Sequence, residues 1–186
     1  QSIYFTVKDI FNYPTILSLS LIAKTEESTS RIKPEQGLVK GYIPLTPIQH
    51  WFFEQNFSNN NYYNQESLLQ IENADANLLK QSLALLLAQH DVLRCRYHQQ
   101  IDGTWQQANL VEEDINAIWS VVDLSSVKEE VLGVRIGQEA NILQKSLDIK
   151  KGPLIRVALF ECGNRPARLL IVIHHLVIDG VSWRIF

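Results

Sequence analysis

The chain has no methionine, two cysteines and no internal repeat. Without an initiator residue it is expected to be a piece of a larger protein. Cys95 and Cys162 lie far apart in strand-like stretches, which fits reduced, buried thiols rather than a disulfide framework and points to a cytoplasmic protein. No charged segment precedes an apolar one at the N-terminus, and no apolar run is long enough to span a bilayer, so neither a secretory leader nor a membrane partner is expected. Charge of one sign is also lacking: 17 Lys and Arg face 20 Asp and Glu, a net of -3. Such a balance gives no broad field for nucleic acid, and no aromatic-basic interleaving supplies one locally. What is present, 46% hydrophobic and 20% charged residues over 186 positions, suits a soluble globular protein with a sizeable core.

The most informative stretch is Ala167 to Phe186, reading ARLLIVIHHLVIDGVSWRIF. Its apolar run from Leu169 to Ile173 has the length of a fully buried strand. Consecutive strand side chains point to opposite faces, so one of His174 and His175 should be packed and the other presented. Asp179-Gly180 reads as a turn, with Asp179 placed to orient an imidazole or to hold the loop through an arginine, Gly180 supplying a positive φ, and a short helix from Val181. A structural histidine at a strand end is the plain alternative to a catalytic one. Metal binding is not expected, because adjacent strand histidines diverge and no further ligands stand at suitable spacing. Ser182, His175 and Asp179 are the residue types of a nucleophilic triad, but they crowd into eight residues without a Gly-x-Ser-x-Gly elbow.

His174 to Gly180, HHLVIDG, resembles the His-His-x-x-x-Asp-Gly signature of the condensation-domain superfamily of nonribosomal peptide synthetases. That family's two-lobed fold resembles chloramphenicol acetyltransferase. The continuation with Ser182, Trp183 and Arg184 looks more like the epimerization branch than the peptide-bond-forming one.

Earlier segments carry further likenesses. Residues 1–24 read as two short helices about Pro14, with Thr6 to Asp9 a capping box and Thr15 a second cap, and they resemble the C-terminal end of a peptidyl carrier domain. A docking helix or fold extension is the plainer reading. Residues 25–40 are polar and aperiodic, as a linker is. In GYIPLTPIQHWFFEQ, Thr46 is placed to cap and Pro47 to open a helix with Ile48, Trp51 and Phe52 on one face. The wording resembles the first motif of epimerization domains. HDVLRCRY, His90 to Tyr97, resembles the second general motif, whose arginine pairs with the signature aspartate. Arg94 takes that position by resemblance, and Arg96, two strand residues on, is its rival.

Between these motifs the periodicity predicts a strand over Ser67–Glu72 and a helix from Asp75 or Asn77 to His90 with Leu79, Leu83, Leu86 and Leu87 inward. A hairpin follows around Asp102-Gly103, then a strand from Ala117 to Leu124. A long helix from Val127 to Leu147, with Gly133 and Gly137 at a close contact, precedes two strands, Leu154–Cys162 and Ala167–His175. His50, His90 and His98 have no partner motif and read as structural or exposed.

The expected fold is thus α/β, a chloramphenicol-acetyltransferase-like sandwich lobe over residues 41–186, the first half of a two-lobed domain, truncated, after a carrier remnant (1–24) and linker (25–40). The resemblance implies epimerization, L to D, at the Cα of an aminoacyl or peptidyl thioester presented on a carrier's phosphopantetheine arm, with no directly bound cofactor. His175 is the catalytic candidate, supported by His174, Asp179, Gly180, Arg94, Ser182 and Trp183. The family's second proton carrier is a glutamate of the second lobe, so this piece is expected to be inactive alone. Its expected partners are the carrier domain and adjacent synthetase modules. A condensation domain, a coenzyme A-dependent acyltransferase and a non-catalytic carrier-docking fragment remain as alternatives.

Overall fold

A computed structural model of the chain describes residues 3, 5–23 and 37–185. Residues 25–36 of the expected linker lie outside the described residues, as do Ser2, Tyr4 and Phe186. The chain divides into two compact units, residues 1–36 and 37–186.

The first unit carries two short helices, α1 (Val7–Asn12) and α2 (Ile16–Ile22). Thr6 and Thr15 stand at their N-caps in extended conformation. Thr6 Oγ1 accepts from the Asp9 amide at 3.1 Å, and Thr15 Oγ1 from the Ser18 amide at 3.1 Å, each serving one of the amides a helix start leaves without an intrahelical partner. Neither helix buries a residue, and Ile10, Phe11, Ile16, Leu17 and Leu21 are exposed.

The second unit has two sheets. The smaller is antiparallel, in the order β1 (Gly41–Ile43), β4 (Trp105–Asn109), β3 (Cys95–Gln99). The larger runs β2 (Asn64–Ile71), β7 (Ala167–His174), β6 (Ile155–Glu161), β5 (Trp119–Asp123). Its last pair is parallel, and the crossover that a parallel pair requires is made by α6 (Glu129–Lys145). The remaining helices are α3 (Pro47–Glu54), α4 (Ala76–Gln89) and the single turn α5 (Ile115–Ile118).

The apolar runs of β6 and β7 are explained by burial on both faces. Ile155, Val157, Leu159, Leu169, Ile171 and Ile173 join one core with Phe52 and Phe53 of α3 and Leu83 and Leu87 of α4. The alternate residues Ala158, Phe160, Leu170 and Val172 join a second core with Leu132 and Ile136 of α6. At about 1.5–3 kcal/mol for each large aliphatic or aromatic side chain, these two layers dominate the lobe's stability.

Three local expectations are corrected. In α3 the buried stripe is Gln49, Phe52 and Phe53, while Ile48 and Trp51 are exposed. The reason is the aromatic cluster below the helix: the Phe53 ring stacks on Trp105 with centroids 4.1 Å apart, and Phe52 packs among Phe57 and Tyr63. Gly133 and Gly137 mark no close packing, since a Cβ at either would meet open space. The positive φ expected at Gly180 is also absent; it occurs at other glycines, Gly103 of the hairpin turn among them, with φ +86°. Cys95 and Cys162 are free and buried, as expected.

Candidate functional site

The site forms where β7 ends. His174 is fully buried. Its Nε2 lies 2.8 Å from the Asn60 carbonyl, which can only accept, so Nε2 carries the proton; Nδ1 accepts from the Leu176 amide at 3.2 Å. Phe52 meets the ring edge-on. Burial penalises a charged imidazole here and pushes its pKa down to about 4. With both nitrogens committed to backbone, His174 is a neutral packing residue.

His175 lies one residue beyond the strand and is half-buried. Its backbone amide donates to the Tyr63 carbonyl at 2.7 Å, which extends the pairing of β7 with β2, and its ring stacks on Tyr63 with centroids 5.2 Å apart. Nδ1 is 2.7 Å from the Ile178 carbonyl, and Nε2 is 3.1 Å from the side-chain nitrogen of Gln65. A cavity of about 190 Å³ opens beside the ring, lined by Ile48, Gln49, Trp51, Phe52, Tyr63 and Leu176. An imidazole whose Nδ1 is held on a backbone carbonyl beside an apolar cavity can take up a proton at its other nitrogen once the Gln65 amide gives way.

The loop after His175 is built by Asp179. Its Oδ1 accepts from the Val181 amide (3.1 Å), the Ser182 amide (2.8 Å) and the Ser182 hydroxyl (2.7 Å). These bonds stabilise the carboxylate and hold its pKa below the usual range. The turn leads into a short 3₁₀ segment, Ser182–Arg184, whose Trp183 donates its indole N–H to Gln65 Oε1 at 2.7 Å. Ser182 bonds Asp179, but His175 turns Nδ1 to Ile178 instead, so no nucleophilic triad is assembled.

Arg94 and Asp179 are not brought together, which corrects the pairing expected by resemblance. Asp179 is exposed, whereas Arg94 is buried in a 3₁₀ turn, Asp91–Arg94, ahead of β3. The Arg94 guanidinium pairs with Asp91 and runs back to the carbonyls of Leu87 and Ala88, the C-terminal end of α4, where backbone dipoles favour a cation. The strand begins only at Cys95, so Arg96 does not share a face with Arg94 by strand alternation; it pairs with Glu113. Among the described residues, no cluster of His, Cys, Asp or Glu could hold a metal ion.

Sequence reasoning missed three residues here. Tyr63 and Gln65 sit beside the histidines through the β2–β7 register, in which Asn64 pairs with His174 and Gln65 with Ile173. Buried Gln49 donates to the Tyr97 hydroxyl (2.9 Å) and to Gln107 Oε1 (3.1 Å), and its Nε2 also lies 3.4 Å from the Leu176 carbonyl, tying α3 to β3, β4 and the residue after His175. Tyr63 and Gln65 gave no signal because strand partners cannot be read from one sequence, and Gln49 gave none because a helical glutamine reads as solvent-facing.

Known proteins share nearly the whole length of the chain. It is 41% identical over 182 residues to the chondramide synthase cmdD of Chondromyces crocatus, a match that covers 97% of the chain and 4% of that synthase. It is 38% identical over 182 residues to surfactin synthase subunit 2 of Bacillus subtilis (strain 168), covering 96% of the chain and 5% of that relative. Among solved structures it matches the epimerization domain from the third module of tyrocidine synthetase B with TM-score 0.74 and 40% identity, over 81% of this chain and 34% of that one. That coverage is the N-terminal lobe of the chloramphenicol-acetyltransferase-like fold. The Condensation domain family matches residues 39–186, and the chain belongs to that family, within the nonribosomal peptide synthetases.

Proposed function

We propose that this lobe serves in epimerizing the Cα of an aminoacyl or peptidyl group held as a thioester on a carrier's phosphopantetheine arm, with His175 as a proton carrier. The observation that carries the reading is the held imidazole: Nδ1 is anchored on the Ile178 carbonyl, Nε2 is bonded, among the described residues, only to the Gln65 side chain, and the residue lines an apolar cavity. His175 Nε2 takes the Cα proton, and the C–H electron pair moves into the thioester carbonyl, leaving an enolate and an imidazolium. Return of a proton to the opposite face inverts the centre, with no leaving group and no redox partner. The acid for that face, a glutamate by resemblance, would come from the second lobe. Support for the epimerization branch comes from the tyrocidine synthetase neighbour and from Trp183, which reaches the histidine's own partner. Residues 1–24 fit a carrier remnant, and the match to the chondramide synthase takes in 182 residues whereas the family match starts at residue 39.

The family's own description favours a second reading, in which His175 acts on an incoming amine and a peptide bond forms. One experiment separates the two. In the synthetase carrying this sequence, solvent deuterium should wash into Cα of the carrier-bound aminoacyl thioester and the D/L ratio should rise. His175→Ala should lower both about 10²- to 10⁴-fold with the fold intact. Exchange at the parental rate in a folded His175→Ala protein would remove the imidazole from the reaction. Peptide formation by the parent without any exchange would replace epimerization by condensation.

A further inference from the structure

The bonds around His175 run in one direction, because three of the participating groups have fixed roles. An indole N–H can only donate, so the oxygen of the Gln65 amide is the end facing Trp183, at 2.7 Å. The amide nitrogen is therefore the end facing His175 Nε2, at 3.1 Å, and since it can only donate, Nε2 accepts. The Ile178 carbonyl can only accept, so Nδ1 carries the ring proton, at 2.7 Å. The relay reads Trp183 to Gln65 to His175 to Ile178, and it assigns the Nδ1–H tautomer without ambiguity in the amide.

We propose that Gln65 is the positioning residue that keeps the His175 Nε2 lone pair in place, and that Trp183 fixes which end of the Gln65 amide faces the imidazole. This inference rests on the epimerization reading for its effect on rate but not for its effect on the tautomer. A proton on Nε2 would face another N–H, and turning the amide over to relieve that would break the indole bond. The Cα–H of a substrate displaces the Gln65 amide from Nε2, because one lone pair serves one proton at a time. Asp179 acts at one further remove: its carbonyl accepts from the Trp183 backbone amide at 3.1 Å, and its carboxylate holds the turn that carries the indole to Gln65. The stretch from Asp179 to Trp183 thus reaches the histidine through β2, although it lies only four to eight residues beyond it.

The test is Gln65→Glu, which keeps the shape and the oxygen facing Trp183 but puts an acceptor where the donor was. In the histidine-labelled full chain, ¹⁵N correlation spectra of the parent at about pH 8 should show His175 as the Nδ1–H tautomer, and Gln65→Glu should show an imidazolium. In the synthetase carrying this sequence, Cα exchange should fall by about 10²-fold in Gln65→Glu and recover as the pH is raised. The titratable groups around the ring, Tyr63 stacked on it, His174 beside it and Asp179 at the loop end, are the same in both proteins. Trp183→Phe, which frees the amide to turn over, should give intermediate spectra and should serve if Gln65→Glu does not fold. A folded Gln65→Glu protein whose His175 stays in the Nδ1–H form overturns the proposal, whether or not the rate changes. A tautomer that responds as expected in a parent that never exchanges the Cα proton keeps the relay and removes the epimerization reading.

Discussion

His174 and His175 are neighbours in the chain and differ in burial, in tautomer and in what their second nitrogen meets. The first carries its proton on Nε2, has both nitrogens on backbone groups and is sealed against Phe52. The second carries its proton on Nδ1 and turns Nε2 to the side chain of Gln65. The difference teaches that the protein has used the pleat of a strand to obtain two functions from one dipeptide: the buried ring closes the core, and the next ring is delivered to the cavity wall. Chemistry should therefore fail at one position and stability at the other.

The sharpest way to break this comparison is to exchange the roles. His175→Ala should cost about 10²- to 10⁴-fold in Cα exchange with little change in melting temperature, whereas His174→Ala should lower stability first. Equal losses of rate at equal stability would erase the distinction.

Arg94→Ala comes next. It leaves Asp91 without its cation and the carbonyls of Leu87 and Ala88 without their donor, so chemical denaturation should show a loss of about 3–5 kcal/mol. The environment of His175 should not change, because Arg94 does not reach Asp179. A shifted His175 ring spectrum in this variant would restore the pairing suggested by the family motif.

His174 then supplies a pH dependence. Its folded pKa is near 4 against an ordinary value of 6.5. The unfolded chain therefore binds the extra proton first, and stability is fully present above about pH 6.5 and falls as the pH drops toward 4. The loss integrates to about 3 kcal/mol. His174→Gln should flatten that part of the stability curve, and a curve unchanged in shape would show that the buried ring is not the titrating group.

The smallest effect belongs to Asp179→Asn. The amide oxygen still accepts, so the melting temperature should move by about 2 °C or less. Amide hydrogen exchange at Val181 and Ser182 should still quicken, because the carboxylate bonds are the stronger ones. Unchanged exchange at both amides would mean that the loop is held by other contacts.

How much of this could be read beforehand follows from the range of the interactions involved. The helix starts at Thr6, Thr15 and Pro47, the hairpin at Asp102-Gly103 and the two long strands depend on residues within a few positions of each other, and all were legible. The buried–presented split of the histidines was legible for the same reason, since alternation is local. Arg94 was misjudged because its partner was carried over from a resemblance, whereas the residue sits in a 3₁₀ turn that points the guanidinium at α4. Gln65 was invisible because its role depends on which strand pairs with β7, a choice made over 110 residues of separation. Gln49 was invisible because a glutamine on an amphipathic helix reads as solvent-facing until the cluster of Tyr97 and Gln107 is known.

The double burial of β7 has a consequence for how this strand finds its alignment. A strand with one wet face resists slipping by one residue, because the slip would put every apolar side chain in water. From Leu169 to Ile173 both faces are apolar, so that safeguard is weak where the ladder is longest. The alignment is instead pinned at the end, where the His174 ring finds the Asn60 carbonyl and the Leu176 amide. Shifted by one place, His175 would enter the buried position and His174 would fall inside the greasy run. The sealed histidine thus acts as an index mark for the strand, and through it the protein specifies which of two identical rings stands at the cavity.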